Sequence, residues 1–221
     1  LIYEGRKVLM YCPRCETPLA KAEVAMDNSY KTVTEEAVTV KFKVKPGQKI
    51  SNWTTDENTY LLAWTTTPWT LPGNVALAIN SSLEYELIKQ GEEILILAKD
   101  SPQHLSEKSS DIAASRRQTF LRDIVASSIR EFKGKDIVGL EYEPLYEIPV
   151  VKNSGKKSHY VVEGDFVNTE DGTGIVHIAP MHGEDDYNIG VKYDLPIAPL
   201  LDSGGHFNKE APEFIQGFYL K

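Results

Sequence analysis

Apolar and polar residues alternate with period two along much of the chain, the pattern of half-buried β-strands. Val38, Val40, Phe42 and Val44 alternate with Thr39, Lys41, Lys43 and Lys45, and Pro46-Gly47 ends that strand. Residues 60–67 predict a second, more apolar and more buried strand. Two prolines and a glycine in residues 68–74 predict an irregular loop. Val75, Leu77 and Ile79 restart the alternation. Leu83, Tyr85 and Leu87, then Gln90-Gly91-Glu92, then residues 94–98 predict a β-hairpin. Nearer the start, Val8, Met10 and Cys12 alternate before a tight turn, and residues 20–24 fit a short strand or a turn. Between 101 and 132, Ile112, Leu121, Ile124, Val125, Ile129 and Phe132 fall at mixed three- and four-residue steps, which predicts one or two helices. Residues 137–146 and 160–162 read as strands, with a polar turn at 152–158. Residues 175–179 predict a buried strand, 180–184 a turn into a helix reaching about Tyr193, and 196–201 a last short strand. Strands dominate and regular βαβ alternation is missing. The expected fold class is therefore α+β: a curved, barrel-like, mostly antiparallel β-sheet core with a few peripheral helices.

Composition narrows the class. The 221 residues are 41% apolar and 25% charged, a globular mix that excludes whole-chain disorder. A chain of this length buries roughly 70–75% of its unfolded surface, so no staple is needed. The 24 basic and 32 acidic residues leave a formal charge of −8, which disfavours an autonomous nucleic-acid coat but not a local basic surface. Two cysteines exclude a disulfide framework. No apolar run approaches the ~20 residues of a membrane span, and no signal peptide is visible. The chain begins with Leu rather than Met, so a piece of a longer protein is expected, soluble and cytoplasmic. Cys12-Pro-Arg-Cys15 has the form of half a zinc ribbon, but four ligands are needed, and a metal-free turn is expected. Lys108, Arg116, Arg117, Arg122, Arg130, Lys133 and Lys135 outnumber Glu107, Asp111, Asp123 and Glu131; they are read as a solvated face, with contact to RNA phosphates as the alternative.

Two loops carry chemistry. Residues 64–74, Trp-Thr-Thr-Thr-Pro-Trp-Thr-Leu-Pro-Gly-Asn, concentrate four hydroxyls, two indoles and an amide at one strand end. Prolines fix the path of such a loop, so it is either a rigid site for a small polar ligand or an edge-strand turn rich in strand-forming threonine. Residues 172–187, Gly-Thr-Gly-Ile-Val-His-Ile-Ala-Pro-Met-His-Gly-Glu-Asp-Asp-Tyr, form the second. Period-two geometry puts His177 on the face opposite Val176 and Ile178. Asp185 and Asp186 fall at a helix start, where carboxylates are favoured as caps. Adjacent helical residues point about 100° apart, so one can cap while the other faces a cleft. A hydrogen-bonded core histidine and an exposed loop histidine remain the bland readings of His177 and His182. The spacing matches no H-E-x-x-H metal site, no G-x-S-x-G nucleophile elbow and no phosphate loop.

Together, in this order, the two strings resemble the editing insertion, connective peptide 1, of the isoleucyl-tRNA synthetases. The resemblance extends to the Y-C-P-R-C-E-T-P-L-A-K-A-E-V string from Tyr11 and to the closing G-x-F and G-F-Y pieces. The related valyl and leucyl enzymes carry T-T-R-P where Thr67-Pro68 stands here, which points to the isoleucyl branch. Neither H-I-G-H nor K-M-S-K-S is present, so amino-acid activation is not expected. The resemblance implies one editing domain over residues 1–221, with residues 1–30 nearest the linker to a catalytic domain elsewhere. It implies hydrolysis of the ester of valyl-tRNA(Ile), with valyl-adenylate as a second candidate. A non-catalytic module that binds the tRNA 3′-end is the alternative. Valine and isoleucine differ by one methylene, which an apolar pocket resolves by only about 1–3 kcal/mol; the isoleucyl enzyme is itself the standard worked example of that limit. A smaller second site must then exclude isoleucine. The catalytic set implied is Thr66, Thr67 and Asp186, with Asp186 holding the substrate's α-ammonium and the threonines placing ester and water. Trp64, Thr65, Asn74, His177 and Asp185 are the implied substrate-binding set, His177 limiting pocket size. No metal and no cofactor are expected. The expected partners are the 3′-terminal adenosine of tRNA(Ile) carrying valine and the remainder of the synthetase in cis, with no membrane and a monomeric chain. An acidic chain suits such an insertion if the rest of a larger enzyme holds most of the tRNA.

Overall fold

The computed structural model describes residues 2, 8–26, 29–101 and 127–220. A small hairpin of β1 (Met10–Cys12) and β2 (Thr17–Leu19) leads into α1 (Lys21–Val24). That single helical turn stands where a strand or turn was expected; the Glu23 carboxylate accepts the Ala20 N–H at 2.7 Å and closes it. Next come β3 (Val38–Lys43), the short pair β4 (Lys49–Ile50) and β5 (Trp53–Thr54), and β6 (Thr59–Thr65). After β7 (Ala76–Ile79) the hairpin of β8 (Glu84–Gln90) and β9 (Glu93–Ala98) forms as expected, turning at Gly91. β10 (Ser127–Lys133), α2 (Pro149–Lys152), β11 (Tyr160–Glu163), β12 (Val176–Ile178) and α3 (Glu184–Lys192) complete the named elements.

The strands form two main sheets. The larger has the order β10-β8-β9-β6-β3 and the smaller β11-β7-β12. Both are mixed: β6 runs parallel to β9, and β11 parallel to β7. No closed barrel forms among the described residues, which corrects the barrel-like expectation. Instead the sheets share a core. Phe42, Leu61, Tyr85, Leu87 and Ile96 from the large sheet meet Leu77, Ile79 and Val161 from the small one. The opposite face of the small sheet, with Ala76, Ala78, Val162 and Ile178, packs against Ile189 of α3 and Leu195, Leu200 and Phe207 beyond it. β7 is therefore buried on both faces, which explains an unbroken apolar run where alternation was expected. No described helix is long and apolar enough to cross a membrane.

Four other expectations change. Residues 68–74 are not irregular: Pro68–Gly73 is a 3-10 helix, with the Thr70 and Asn74 N–H groups donating to the Thr67 and Leu71 carbonyls at 3.0 Å. Of the region expected to be helical, residues 102–126, including Ile112, Arg116 and Arg117, lie outside the described residues. Residues 127–133 are the edge strand β10, bulged between Ser128 and Arg130, with Phe132 stacked on Tyr85. Residues 137–146 make only isolated bridges: their backbone bonds to Lys43 and Lys45 on one side and to His159 and Val161 on the other, and at Glu141 these are joined by the Gln48 side chain. Its Oε1 accepts the Glu141 N–H at 2.7 Å and its Nε2 donates to the Glu141 carbonyl at 2.8 Å. Residues 196–201 make one bridge, Leu201 to Phe207; Pro196 and Pro199 remove two ladder donors.

Candidate functional site

β6 ends two residues before the expected Thr67, and a side chain ends it. Thr65 is buried, and its Oγ1 accepts the Thr67 N–H at 3.1 Å while lying 3.3 Å from the Thr67 Oγ1. This turns the chain, leaving Thr66 exposed and Thr67 half-buried. The 3-10 turn then returns Thr70 to the same place, with its Oγ1 2.8 Å from the Thr67 carbonyl oxygen.

The second loop closes on the first. Gly172 has φ +78° and passes so near Trp64 that a Cβ would stand 3.0 Å from the indole. Gly174, at φ +70°, would set a Cβ 2.3 Å from that of Ala98, so neither position accepts a larger residue without displacement. β12 pairs His177 opposite Leu77 and brings its Nε2 to 2.9 Å from the Thr70 Oγ1. At the helix start neither aspartate caps: the N-cap is Gly183, without a side-chain bond. Asp186 folds back instead, and its Oδ1 accepts the Ala179 N–H at 2.8 Å. Gly183 permits this, because a Cβ there would lie 2.3 Å from the Asp186 Oδ2.

The two loops, with residues 166–171, line an open cavity of about 360 Å³. Trp64, Thr65, Thr66, Thr67, His177 and Asp186 all line it. Asn74 does not. It is buried beneath the loop, donating from Nδ2 to the Ala76 carbonyl at 2.9 Å and accepting the Tyr142 hydroxyl at 2.7 Å. It thus ties the 3-10 helix to β7, and substrate contact is not where the structure puts it. Asp185 is also absent from the lining, being exposed on α3. The reading from residues missed Thr70, His182, Thr173, Glu170 and Asp171, which line the cavity as well. Thr70 had a signal, three residues after Thr67 in the same hydroxyl-rich string; the acidic pair had none outside the fold. Cys12 and Cys15 are free thiols in the β1–β2 hairpin region, and no cluster of three or more metal-ligating side chains exists among the described residues.

The electrostatics are set by burial. Burial raises the Asp186 carboxyl above its ordinary value, opposed by the N–H groups of Ala179 and of Asp186 itself. An ionised carboxylate there gains from a cation. Burial pushes His182 down to about 4, and burial together with the neighbouring His182 does the same to His177. His182 packs edge-on against Trp69, with ring centroids 5.1 Å apart. Both imidazoles are therefore neutral near pH 7. The cavity offers threonine hydroxyls, carboxylates and two neutral imidazoles. No serine or cysteine is among its lining residues.

These histidines make stability depend on pH. Unfolded imidazoles titrate near 6.5, and the folded ones near 4. Between those values the unfolded chain binds more protons. Their contribution is full above 6.5 and is lost as pH falls through about 4, by about 3 kcal/mol for each ring. Urea midpoints should fall between pH 7 and pH 4, and fall less after His182→Gln. An identical pH dependence in that variant would refute the assignment.

No protein-family model matches the chain. The isoleucine–tRNA ligase of Clostridium acetobutylicum is 46% identical over the whole chain, which covers 18% of that protein. That of Sulfolobus acidocaldarius is 38% identical over the whole chain, covering 19% of it. The chain thus spans under a fifth of the length of these curated relatives. Among solved structures, the crystal structure of GlLeuRS-CP1 superposes with a TM-score of 0.51 at 16% identity, over 71% of this chain and 58% of that one. At that identity the likeness speaks for the fold alone.

Proposed function

The chain belongs with the isoleucine–tRNA ligases as one segment of their length, and on that premise we propose that it hydrolyses the ester of tRNA(Ile) misacylated with valine. The observation that carries the reading is the convergence of both motif loops on one cavity holding a carboxylate, threonine hydroxyls and a neutral histidine. In this reading Asp186 receives the α-ammonium of the aminoacyl group. Thr66 and Thr67 present hydroxyls to the ester and to an attacking water. His177 forms the wall that valine clears and isoleucine does not, while Trp64 and Thr65 shape the cleft. An aminoacyl ester is already activated, so holding it and a water in line can supply several kcal/mol without a nucleophilic side chain. The 3′-terminal adenosine of the tRNA and the rest of the ligase in cis are the partners, in the cytoplasm.

Deacylation assays with the ligase that contains this chain test the reading. Valyl-tRNA(Ile) should be hydrolysed, with isoleucyl-tRNA(Ile) and N-acetylvalyl-tRNA(Ile) spared. Equal attack on the blocked amine would point to an unrelated esterase. Binding of the 3′-end without hydrolysis would leave the non-catalytic module.

A further inference from the structure

Thr70 joins the two loops. Its Oγ1 lies 2.8 Å from the Thr67 carbonyl oxygen and 2.9 Å from the His177 Nε2, across 107 residues of sequence. A hydroxyl has one proton, and a carbonyl oxygen can only accept. If that proton goes to Thr67, the His177 Nε2 must carry a hydrogen and donate it to Oγ1. The opposite arrangement, Oγ1–H donating to Nε2, puts the neutral ring's proton on Nδ1. The His177 Nδ1 is buried and has no hydrogen-bond partner among the described residues. An orphaned buried N–H is rarer and costlier than an orphaned acceptor. The first arrangement satisfies the Thr70 proton and the imidazole proton together; the second strands one of them.

We propose that Thr70 is a positioning residue: it holds His177 in the Nε2–H tautomer and fixes the imidazole plane at the cavity wall. The two threonines and the histidine then form a directed chain, Nε2–H to the Thr70 Oγ1 and the Thr70 O–H to the Thr67 carbonyl. The hydroxyl-bearing loop thereby sets the orientation of the side chain that bounds the cavity from β12. Without the Thr70 oxygen the imidazole loses this bond and its ring can turn. A wall that turns no longer excludes by size. The tautomer stands on the geometry alone, whereas the effect on exclusion rests on the editing function proposed above.

Nitrogen-15 NMR of the 221-residue chain, labelled at histidine, reads the tautomer directly, with the His177 signals identified by their loss in His177→Gln. Wild type and Thr70→Ser should show a protonated Nε2 and a bare Nδ1, while Thr70→Val should show a mixture. A protonated Nδ1 in the wild type overturns the proposal, as does a Thr70→Val spectrum identical to wild type. In the full ligase, Thr70→Val should lower the preference for valyl over isoleucyl ester roughly fivefold, and Thr70→Ser should restore it. Preference unchanged in Thr70→Val, with the tautomer lost, overturns the positioning role. Absence of any deacylation by the wild type would instead sink the editing function, and the NMR result would still decide the tautomer.

Discussion

Replacing Asp186 with asparagine should slow hydrolysis of a free-amine aminoacyl ester roughly 10²–10³-fold, while leaving the chain at least as stable near pH 7. The two effects separate because the carboxylate has two roles. Its Oδ1 holds the Ala179 N–H at 2.8 Å, and an asparagine Oδ1 accepts the same bond. The loop that carries Asp186 into the cavity therefore keeps its closure. What the substitution removes is negative charge. Truncating one partner of a desolvated charge pair costs about 2–5 kcal/mol, and the expected rate loss lies in the middle of that range.

The stability half follows from the proton affinity of Asp186, which burial raises. A carboxyl whose folded value is raised contributes stability fully below its unfolded value, and that contribution is lost as pH rises through the folded one. Near pH 7 the ionised group is a net penalty in the empty cavity, and the amide removes it. Deacylation rates for free and N-blocked esters, beside urea midpoints at pH 7, check both halves. An unchanged rate on the free-amine ester would remove Asp186 from ammonium binding. A rate loss with an equal loss of stability would make it a structural brace.

Truncating His177 to alanine should open the cavity to isoleucine, raising attack on isoleucyl-tRNA(Ile) roughly 10–100-fold relative to valyl-tRNA(Ile). The range comes from the discrimination that one methylene allows an apolar pocket. His177 is buried on β12 and lines the cavity, so its removal leaves space at the wall rather than at the surface. The ring is neutral near pH 7, pushed down to about 4 by burial and the neighbouring His182, so no charge is lost with it. Deacylation of both esters by the variant checks the expectation. Continued strict sparing of isoleucyl-tRNA(Ile) by a variant that still attacks the valyl ester would move size exclusion elsewhere in the cavity.

In the large sheet β3 and β8 are legible from alternation, and β6 and β9 from short apolar runs, because Leu62, Leu95 and Leu97 bury a second cluster with Ile88 besides the shared core. β10 is not: Ile129 and Phe132 stand three apart, a spacing that a helix also allows, and pairing with β8 decides between them. Residues 137–146 carry buried Ile137, Leu140 and Tyr142, as a strand would. Their backbone nevertheless bonds in isolated bridges to residues 43–45 and 159–161, with the Gln48 side chain added at Glu141, and nothing local to the segment announces that.

By itself the sequence determines the α+β class, the two loops and six of the side chains that line the cavity, Trp64, Thr65, Thr66, Thr67, His177 and Asp186. It does so because alternation, proline and glycine act within a few residues, and because the two loop strings, together and in this order, carry the resemblance that implies those side chains. Tertiary structure alone decides that the two sheets share one core without closing into a barrel among the described residues. It withdraws Asn74 to a buried tie with Tyr142, leaves Asp185 on the surface and adds Thr70 and His182 to the cavity. Each of those outcomes depends on a contact between residues far apart in the chain, where burial and hydrogen-bond geometry override local preference.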